Sequence, residues 1–320
     1  SEASLLASGA VETALAELSA QGLLFEQEGA QWFRSSAYGD EKDRVVRKQE
    51  GDYTYLASDI AYHRDKLRRG YDLLVDVWGA DHHGYIPRMQ AVVQAFGYPK
   101  DRLKVVLVQM VNLLRGGKKV EMSKRAGEFI TLREVMDEVG VDAAKFFFLM
   151  RDANTHLDFD LELAKQQSQE NPVYYVQYAH ARLASLRRVA ASRGIECPLP
   201  SRADLSLLQD PDELGLIRKL STYPEVLQTS AAALEPHRVA YYLRELAGLL
   251  HPFYNKHRIL PSAVEHEVQE PSVADGTCDS RTHDAPPPGL TGARLALMWS
   301  VQQVIRNGLD VLGVGAPEQM

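Results

Sequence analysis

Apolar positions change rhythm several times along this chain, and each change predicts a different element. Leu5, Leu6, Val11, Leu15 and Leu18 recur at helical spacing, predicting one amphipathic helix over 4–21 that ends before Gly22. A strand-like stretch follows. Leu23-Leu24-Phe25 and Gln31-Trp32-Phe33-Arg34 flank Glu28-Gly29, and Arg44-Val45-Val46-Arg47 and Tyr53-Thr54-Tyr55-Leu56 flank Glu50-Gly51, so two hairpins are expected within about 23–56. From Tyr53 strands and helices alternate. Ser58 or Asp59 can cap a helix running to Arg69, and 71–78 reads as a buried strand carrying Leu73, Leu74, Val75 and Val77. Gly79 to Gly84 then turns into a helix with Met89, Val92, Val93 and Phe96. Residues 103–114 read as one strand, Gly116-Gly117 as a turn, and Thr131 with Glu134 as the capping box of the next helix.

Beyond Leu132 the pattern is helical almost throughout. Helices are expected over 142–150, 161–167, 171–193 (Val173, Val176, Ala179 or His180, Leu183, Leu186 and Val189 on one stripe), 205–223, 225–234, 236–258 and 292–312. Glu265 to Gly289 is acidic, proline-containing and almost free of large apolar residues, which predicts a flexible loop. The fold class expected is α/β followed by all-α. The boundary falls near 155–170, so the parts are written as 1–160 and 161–320.

Composition narrows the function classes. A chain of 320 residues holds about two domains, and no run approaches the roughly 18 apolar residues of a membrane span. The amino terminus has neither a basic start nor a signal-type apolar run. Cys197 and Cys278 are too few and too isolated for a disulfide framework or a zinc cluster, which favours a reducing cytoplasm. The net charge of -7 opposes indiscriminate nucleic-acid binding, yet between 102 and 133 eight basic residues face only Glu121 and Glu128. Such a local positive field suits a nucleotide or RNA, and a solvated basic face is the competing explanation.

Three constellations carry candidate chemistry. Val120-Glu121-Met122-Ser123-Lys124-Arg125-Ala126-Gly127 places a lysine between small residues, where it can meet a phosphate or be a solvated turn. Asp81-His82-His83 has metal-ligand residue types, and the triplet resembles that of manganese-dependent Asp-His-His phosphoesterases. Adjacent histidines on a helix point about 100° apart, however, so packing, capping and solvation compete with metal binding. Tyr55 and Asp59 can converge across a strand-to-helix turn on a guanidinium, unless Asp59 merely caps its helix.

Taken together, six ordered segments resemble bacterial arginyl-tRNA synthetase, a class I aminoacyl-tRNA synthetase. They are Tyr53 to His63, Trp78 to Gly84, Gln109 to Gly117, Met122 to Gly127, Tyr174 to Arg182 and Arg306 to Met320, so the likeness runs from about residue 10 to the end. The resemblance implies the second half of a Rossmann-like catalytic domain followed by an α-helical anticodon-binding bundle. It implies ATP-dependent formation of arginyl-adenylate and transfer of arginine to tRNA(Arg). The implied substrates and partners are L-arginine, ATP with Mg2+ carried by the nucleotide, and tRNA(Arg), for a cytoplasmic monomer without a dedicated metal site.

By position, Tyr55, Asp59 and His82 match the arginine contacts, with His82 where some members carry glutamine. Gly79 and Asp81 match adenosine and ribose contacts. Met122, Ser123 and Lys124 match the core of the Lys-Met-Ser-Lys-Ser loop, with Lys124 and Ser123 in the catalytic role. Glu121 stands where that loop has its first lysine and Arg125 where it has its last serine, and Lys118 or Lys119 is expected to offset Glu121. Tyr175, Tyr178, Arg182, Tyr254 and Met320 match the region that packs on the anticodon loop; for Tyr175 and Tyr178, helix core is the alternative. No His-Ile-Gly-His-type motif occurs in the chain. The sequence therefore reads as a carboxy-terminal portion lacking that half-site and the family's amino-terminal domain, expected to form little adenylate alone. A tRNA-binding module without catalysis and a metal-dependent phosphoesterase are the competing readings.

Overall fold

A computed structural model of the chain describes residues 2–120, 130–261 and 289–320. Glu121, Met122, Ser123, Lys124 and Arg125, with Cys278 and the acidic segment from Glu265 to residue 288, lie outside the described residues. The chain forms two compact units, Ser1–Met110 with Ala153–His156, and Val111–Asp152 with Leu157–Met320.

The first unit opens with α1 (Glu2–Ala7) and α2 (Ala10–Ala20), not the single helix expected, because Gly9 takes a left-handed conformation (φ 69°) and caps α2. β1 (Leu24–Gln27) and β2 (Ala30–Phe33) form the first hairpin, with Leu24 opposite Phe33. β3 (Arg44–Arg47) adds antiparallel to β2, but the second expected hairpin shrinks to a bridge between Arg47 and Tyr53. Its would-be second strand opens α3 (Tyr55–Arg68). Helical spacing wins there because Leu56, Ala57, Ile60, Ala61 and Leu67 all reach the core. Thr54 precedes the helix, so Ser58 and Asp59 lie inside α3 and cap nothing.

β4 (Leu74–Gly79) and β5 (Leu103–Val108) are parallel, in register from Leu74 opposite Leu103 to Gly79 opposite Val108; α4 (Ile86–Ala95) lies between them in the chain. β4 is not the uniformly buried strand expected. Leu74 and Asp76 point inward, whereas Val75 and Val77 are 41% and 66% exposed. A strand alternates its faces, so a charged residue inside forces two valines outside.

The strand expected over 103–114 is two strands. The backbone N–H of Gln109 donates to the carbonyl of Ala153 at 2.8 Å, and β6 (Val111–Arg115) belongs to the second unit. There it pairs antiparallel with β7 (Lys118–Lys119) across Gly116-Gly117 and parallel with β8 (Leu157–Asp160). β8 is absent from the helical reading because a four-residue alternation is too short to register as a period. Asp160 accepts from the amides of Gly116 and Gly117 at 3.1 and 2.7 Å, which fixes that turn to the sheet.

The helices that follow are α5 (Leu132–Val139), α6 (Val141–Leu149), α7 (Leu161–Lys165), α8 (Pro172–Ser192), α9 (Pro211–Ser221), α10 (Tyr223–Ala233), α11 (His237–Lys256) and α12 (Leu290–Val311). Thr131 and Glu134 form the expected capping box. The helix expected from 205 starts only at Pro211, where Asp210 and Glu213 cap each other's amides. α11 packs on α8, α9, α10 and α12, burying Leu243, Leu246, Leu250 and Phe253. Each such side chain contributes about 1.5–3 kcal/mol. On α8 the inward stripe includes both Ala179 and His180, while Val189 is exposed. Among the described residues, no helix is long and apolar enough to cross a membrane.

Candidate functional site

In the first unit a cavity of about 770 Å³ opens at the carboxyl end of β4, lined by Tyr55, Asp59, His63, Asp76, Gly79, His82 and Tyr85 among others. Ligands of open parallel sheets sit at this end of the strands. Tyr55 and Asp59 are one turn apart on α3, which puts both on one face. Tyr55 is 89% exposed at the rim. Asp59 is held: the Tyr85 hydroxyl donates to its Oδ2 at 2.8 Å, while Oδ1 has no protein partner among the described residues. Tyr85 meets Trp78 edge-on at 6.0 Å, and the Arg88 guanidinium lies 4.2 Å over its ring. Burial, and then the Asp59 charge, push the Tyr85 phenol well above its ordinary range, so it stays a proton donor.

Beneath Asp59 lies a cluster that the sequence reading did not single out. His63 Nδ1 donates to the backbone carbonyl of Asp59 at 2.8 Å, and its Nε2 is 2.8 Å from Asp76 Oδ2. Lys66 Nζ donates to Asp76 Oδ1 at 2.6 Å. Both ring nitrogens of His63 face oxygen atoms. Burial pushes the Asp76 carboxyl up, but hydrogen bonds from His63 and Lys66 outweigh it and hold it below the usual carboxylate range. A carboxylate at an inward strand position was the signal available in the sequence.

The Asp81-His82-His83 triplet forms part of a 3-10 turn, Ala80–Tyr85. His83 Nδ1 donates to the carbonyl of Ala80 at 3.2 Å, and Asp81 and His82 are exposed, 3.7 Å apart. A Cβ on Gly79 would sit 2.6 Å from Oδ1 of the exposed Asp81 side chain. The triplet does not converge as a metal site. Among the described residues the three potential ligands that do converge are Asp210, Asp212 and His257 in the other unit, where Lys256 Nζ already sits 2.7 Å from Asp212.

In the second unit a cavity of about 360 Å³ between α8 and α11 is lined by Tyr174, Tyr175, Tyr178, Arg182, His251 and Asn255, with 167–169. Tyr174 and Tyr178 stack nearly parallel (6.0 Å, 4°), and His251 stacks on Tyr178 at 5.6 Å and tilts against Tyr175 at 4.6 Å. The Arg182 guanidinium lies 3.9 Å over the Tyr254 ring and donates to Asn255 Oδ1 at 2.6 Å. Burial raises the Tyr175 phenol; burial and, more weakly, Arg182 lower the His251 imidazole. Tyr175 is half-buried and packs against the bundle core, whereas Tyr178 is exposed. His251, Tyr254 and Asn255 share one face of α11 by their spacing, a regularity from which only Tyr254 was singled out.

Met320 is exposed and does not line this cavity. The tail leading to it is strapped along another face of α8, where Gln177 donates to the carbonyl of Gly315 (2.9 Å), His180 to that of Pro317 (2.8 Å) and Arg188 to that of Glu318 (3.1 Å).

A parallel βαβ unit with its cavity at the strand ends, and a helical bundle with an aromatic and arginine pocket, are the parts of a class I aminoacyl-tRNA synthetase. The profile for the class I (R) tRNA synthetase catalytic domain matches residues 2–175, and that for the DALR anticodon binding domain matches 176–270 and 279–320. The chain belongs to the arginyl-tRNA synthetase family. It is 54% identical over its whole length to the arginine–tRNA ligase of Geobacter sp. (strain M21), covering 53% of that protein, and 50% identical to that of Thioalkalivibrio sulfidiphilus, covering 51%. The chain thus spans about half the length of the curated relatives it matches. The Thermus thermophilus arginyl-tRNA synthetase structure shares the fold, with a TM-score of 0.72 at 23% identity over 99% of this chain and 59% of that one.

Proposed function

We propose that this chain supplies the arginine-binding and ATP-binding second half of the catalytic domain, and the anticodon-binding bundle, of an arginine–tRNA ligase. The substrates are L-arginine, ATP with its Mg2+, and tRNA(Arg), and the division 1–160 and 161–320 separates the two tasks. In the first step the arginine carboxylate attacks the α-phosphorus of ATP and pyrophosphate leaves. Negative charge spreads over the in-line displacement, and preorganised cations and amides are its main catalytic need. Lys124 and Ser123 take that role, with Met122 beside them, while Gly79 and Asp81 receive the adenosine.

The observation that carries this reading is the state of Asp59. One carboxylate oxygen is pinned by Tyr85 and the other is left for a ligand, at the wall of a cavity whose rim holds Tyr55 and His82. A fixed, partly desolvated carboxylate suits a planar guanidinium, which donates through two parallel N–H groups. Calorimetric titration of L-arginine into the chain tests it. Asp59→Asn should weaken binding by about 10- to 100-fold, the usual effect of losing a charged hydrogen bond. Equal affinity for arginine in both proteins would remove Asp59 from the site. In the ligase-competent protein that contains this chain, Lys124→Ala should slow pyrophosphate exchange by about 10²- to 10³-fold; an unchanged rate would sink its assignment.

A further inference from the structure

We infer that the cavity between α8 and α11 holds one unstacked nucleobase, and that His251 and Asn255 read its hydrogen-bonding edge. The inference rests on the anticodon-binding reading of the second unit and says which groups there confer selectivity.

The walls are suited to a flat heteroaromatic ring. His251 is in ring contact with both Tyr175 and Tyr178, and Arg182 adds a cation fixed over Tyr254. Stacking of this kind accepts every base and distinguishes none. Selectivity requires polar groups with unused hydrogen-bonding capacity, and two line this cavity.

His251 is 8% exposed. Its Nε2 is 3.3 Å from the carbonyl oxygen of Tyr175, which can only accept, so Nε2 carries the proton. The imidazole is held neutral by burial and by the neighbouring Arg182 charge, which leaves Nδ1 as an acceptor. Among the described residues Nδ1 has no partner. Asn255 is the complement. Arg182 Nη2 donates to its Oδ1 at 2.6 Å, which fixes the amide orientation and leaves the Nδ2 hydrogens without a protein partner among the described residues. One acceptor and one donor therefore line the same aromatic cavity. A base edge, with an N–H beside a ring nitrogen or carbonyl oxygen, answers both at once. A base that presents its donor and acceptor in the opposite order leaves both protein groups unsatisfied, which is how a polar site rejects a near-isostere.

The test is binding of anticodon-arm RNA hairpins to the 320-residue chain by fluorescence anisotropy, with each loop base replaced in turn by the other three. The wild-type chain should prefer one base by about five- to tenfold at one loop position, the range expected for one or two hydrogen bonds. His251→Phe keeps the ring and removes the acceptor. Asn255→Asp keeps the oxygen that holds Arg182 and removes the donor, and its exposed position leaves the helix packing intact. Both should flatten the preference at that position to within about twofold and leave preferences elsewhere in place. Preserved selectivity in both variants, or a loss spread evenly over all positions, overturns the reading role. If the wild-type chain binds an anticodon hairpin no better than an unrelated hairpin, the anticodon reading itself fails and this inference with it.

Discussion

β4 in the first unit buries a carboxylate and exposes Val75 and Val77, whereas α11 in the second buries Leu243, Leu246 and Leu250 and exposes Asn255. Both elements border a cavity, but they arrive at it differently. In the first unit the exposed positions of the strand are apolar, and the inward charge, paired with His63 and Lys66, lines the same cavity. In the second the apolar stripe closes a bundle, and the cavity is built from what its helices leave outside. Buried charge and exposed valine are the departures from ordinary patterning that mark a site; exposed polar groups on a closed bundle are not, until their hydrogen bonds are traced.

The largest test of this contrast is Asp76→Ala. It leaves His63 and Lys66 without their shared partner in a buried setting, and should destabilise the first unit by about 3–5 kcal/mol in chemical denaturation. A loss under about 1 kcal/mol would mean that the cluster is solvated. Its pH dependence has a definite sign. The folded Asp76 carboxyl lies below the ordinary aspartate value of 3.8, so the stability it contributes is present above about pH 4 and is lost as pH falls through the folded value. Asp76→Asn should flatten that acid limb.

Two glycines with equal clashes sharpen the comparison. A Cβ on Gly308 would come 2.6 Å from Leu243 Cδ2 in the bundle core, and one on Gly79 would come 2.6 Å from Asp81 Oδ1 at the rim. Gly308→Ala should therefore cost about 1–3 kcal/mol of bundle stability. Gly79→Ala should change stability by less than about 0.5 kcal/mol, because the exposed Asp81 side chain can swing away. If both are equally destabilising by thermal melts, the first unit's rim is as rigid as the bundle core. A milder test than removing Asp76 is Tyr85→Phe, which frees Asp59 without removing its charge. Arginine affinity should fall about three- to tenfold, the effect of a single hydrogen bond, by the same calorimetry. No change would mean that Tyr85 only packs.

Much of the helical half could be read in advance because its information is local. The capping pair Thr131 and Glu134, and the spacing of Val173, Val176 and Leu183 on α8, act over one or two turns. The errors cluster where two local readings compete. Tyr55 and Leu56 suit a strand by residue type, yet the burial of Ala57, Ile60 and Ala61 makes them the start of a helix. The apolar run over 103–114 gives no sign of its break at Gln109 and Met110, because the break is set by a hydrogen bond to Ala153, far away in the chain.

By itself the sequence determined most of the helices and the residue types able to meet a guanidinium, a phosphate or a base, which follow from spacing and turn chemistry, and its ordered segments carried the resemblance to the family. Only the tertiary structure decided that Asp59 is pinned by Tyr85 and not spent as a helix cap, that His63 and Asp76 lie beneath it, and that His251 and Asn255 complete the aromatic cavity. Each of those facts joins residues from different elements. Which hydrogen bonds a polar group has left to offer depends on the partners that folding brings to it.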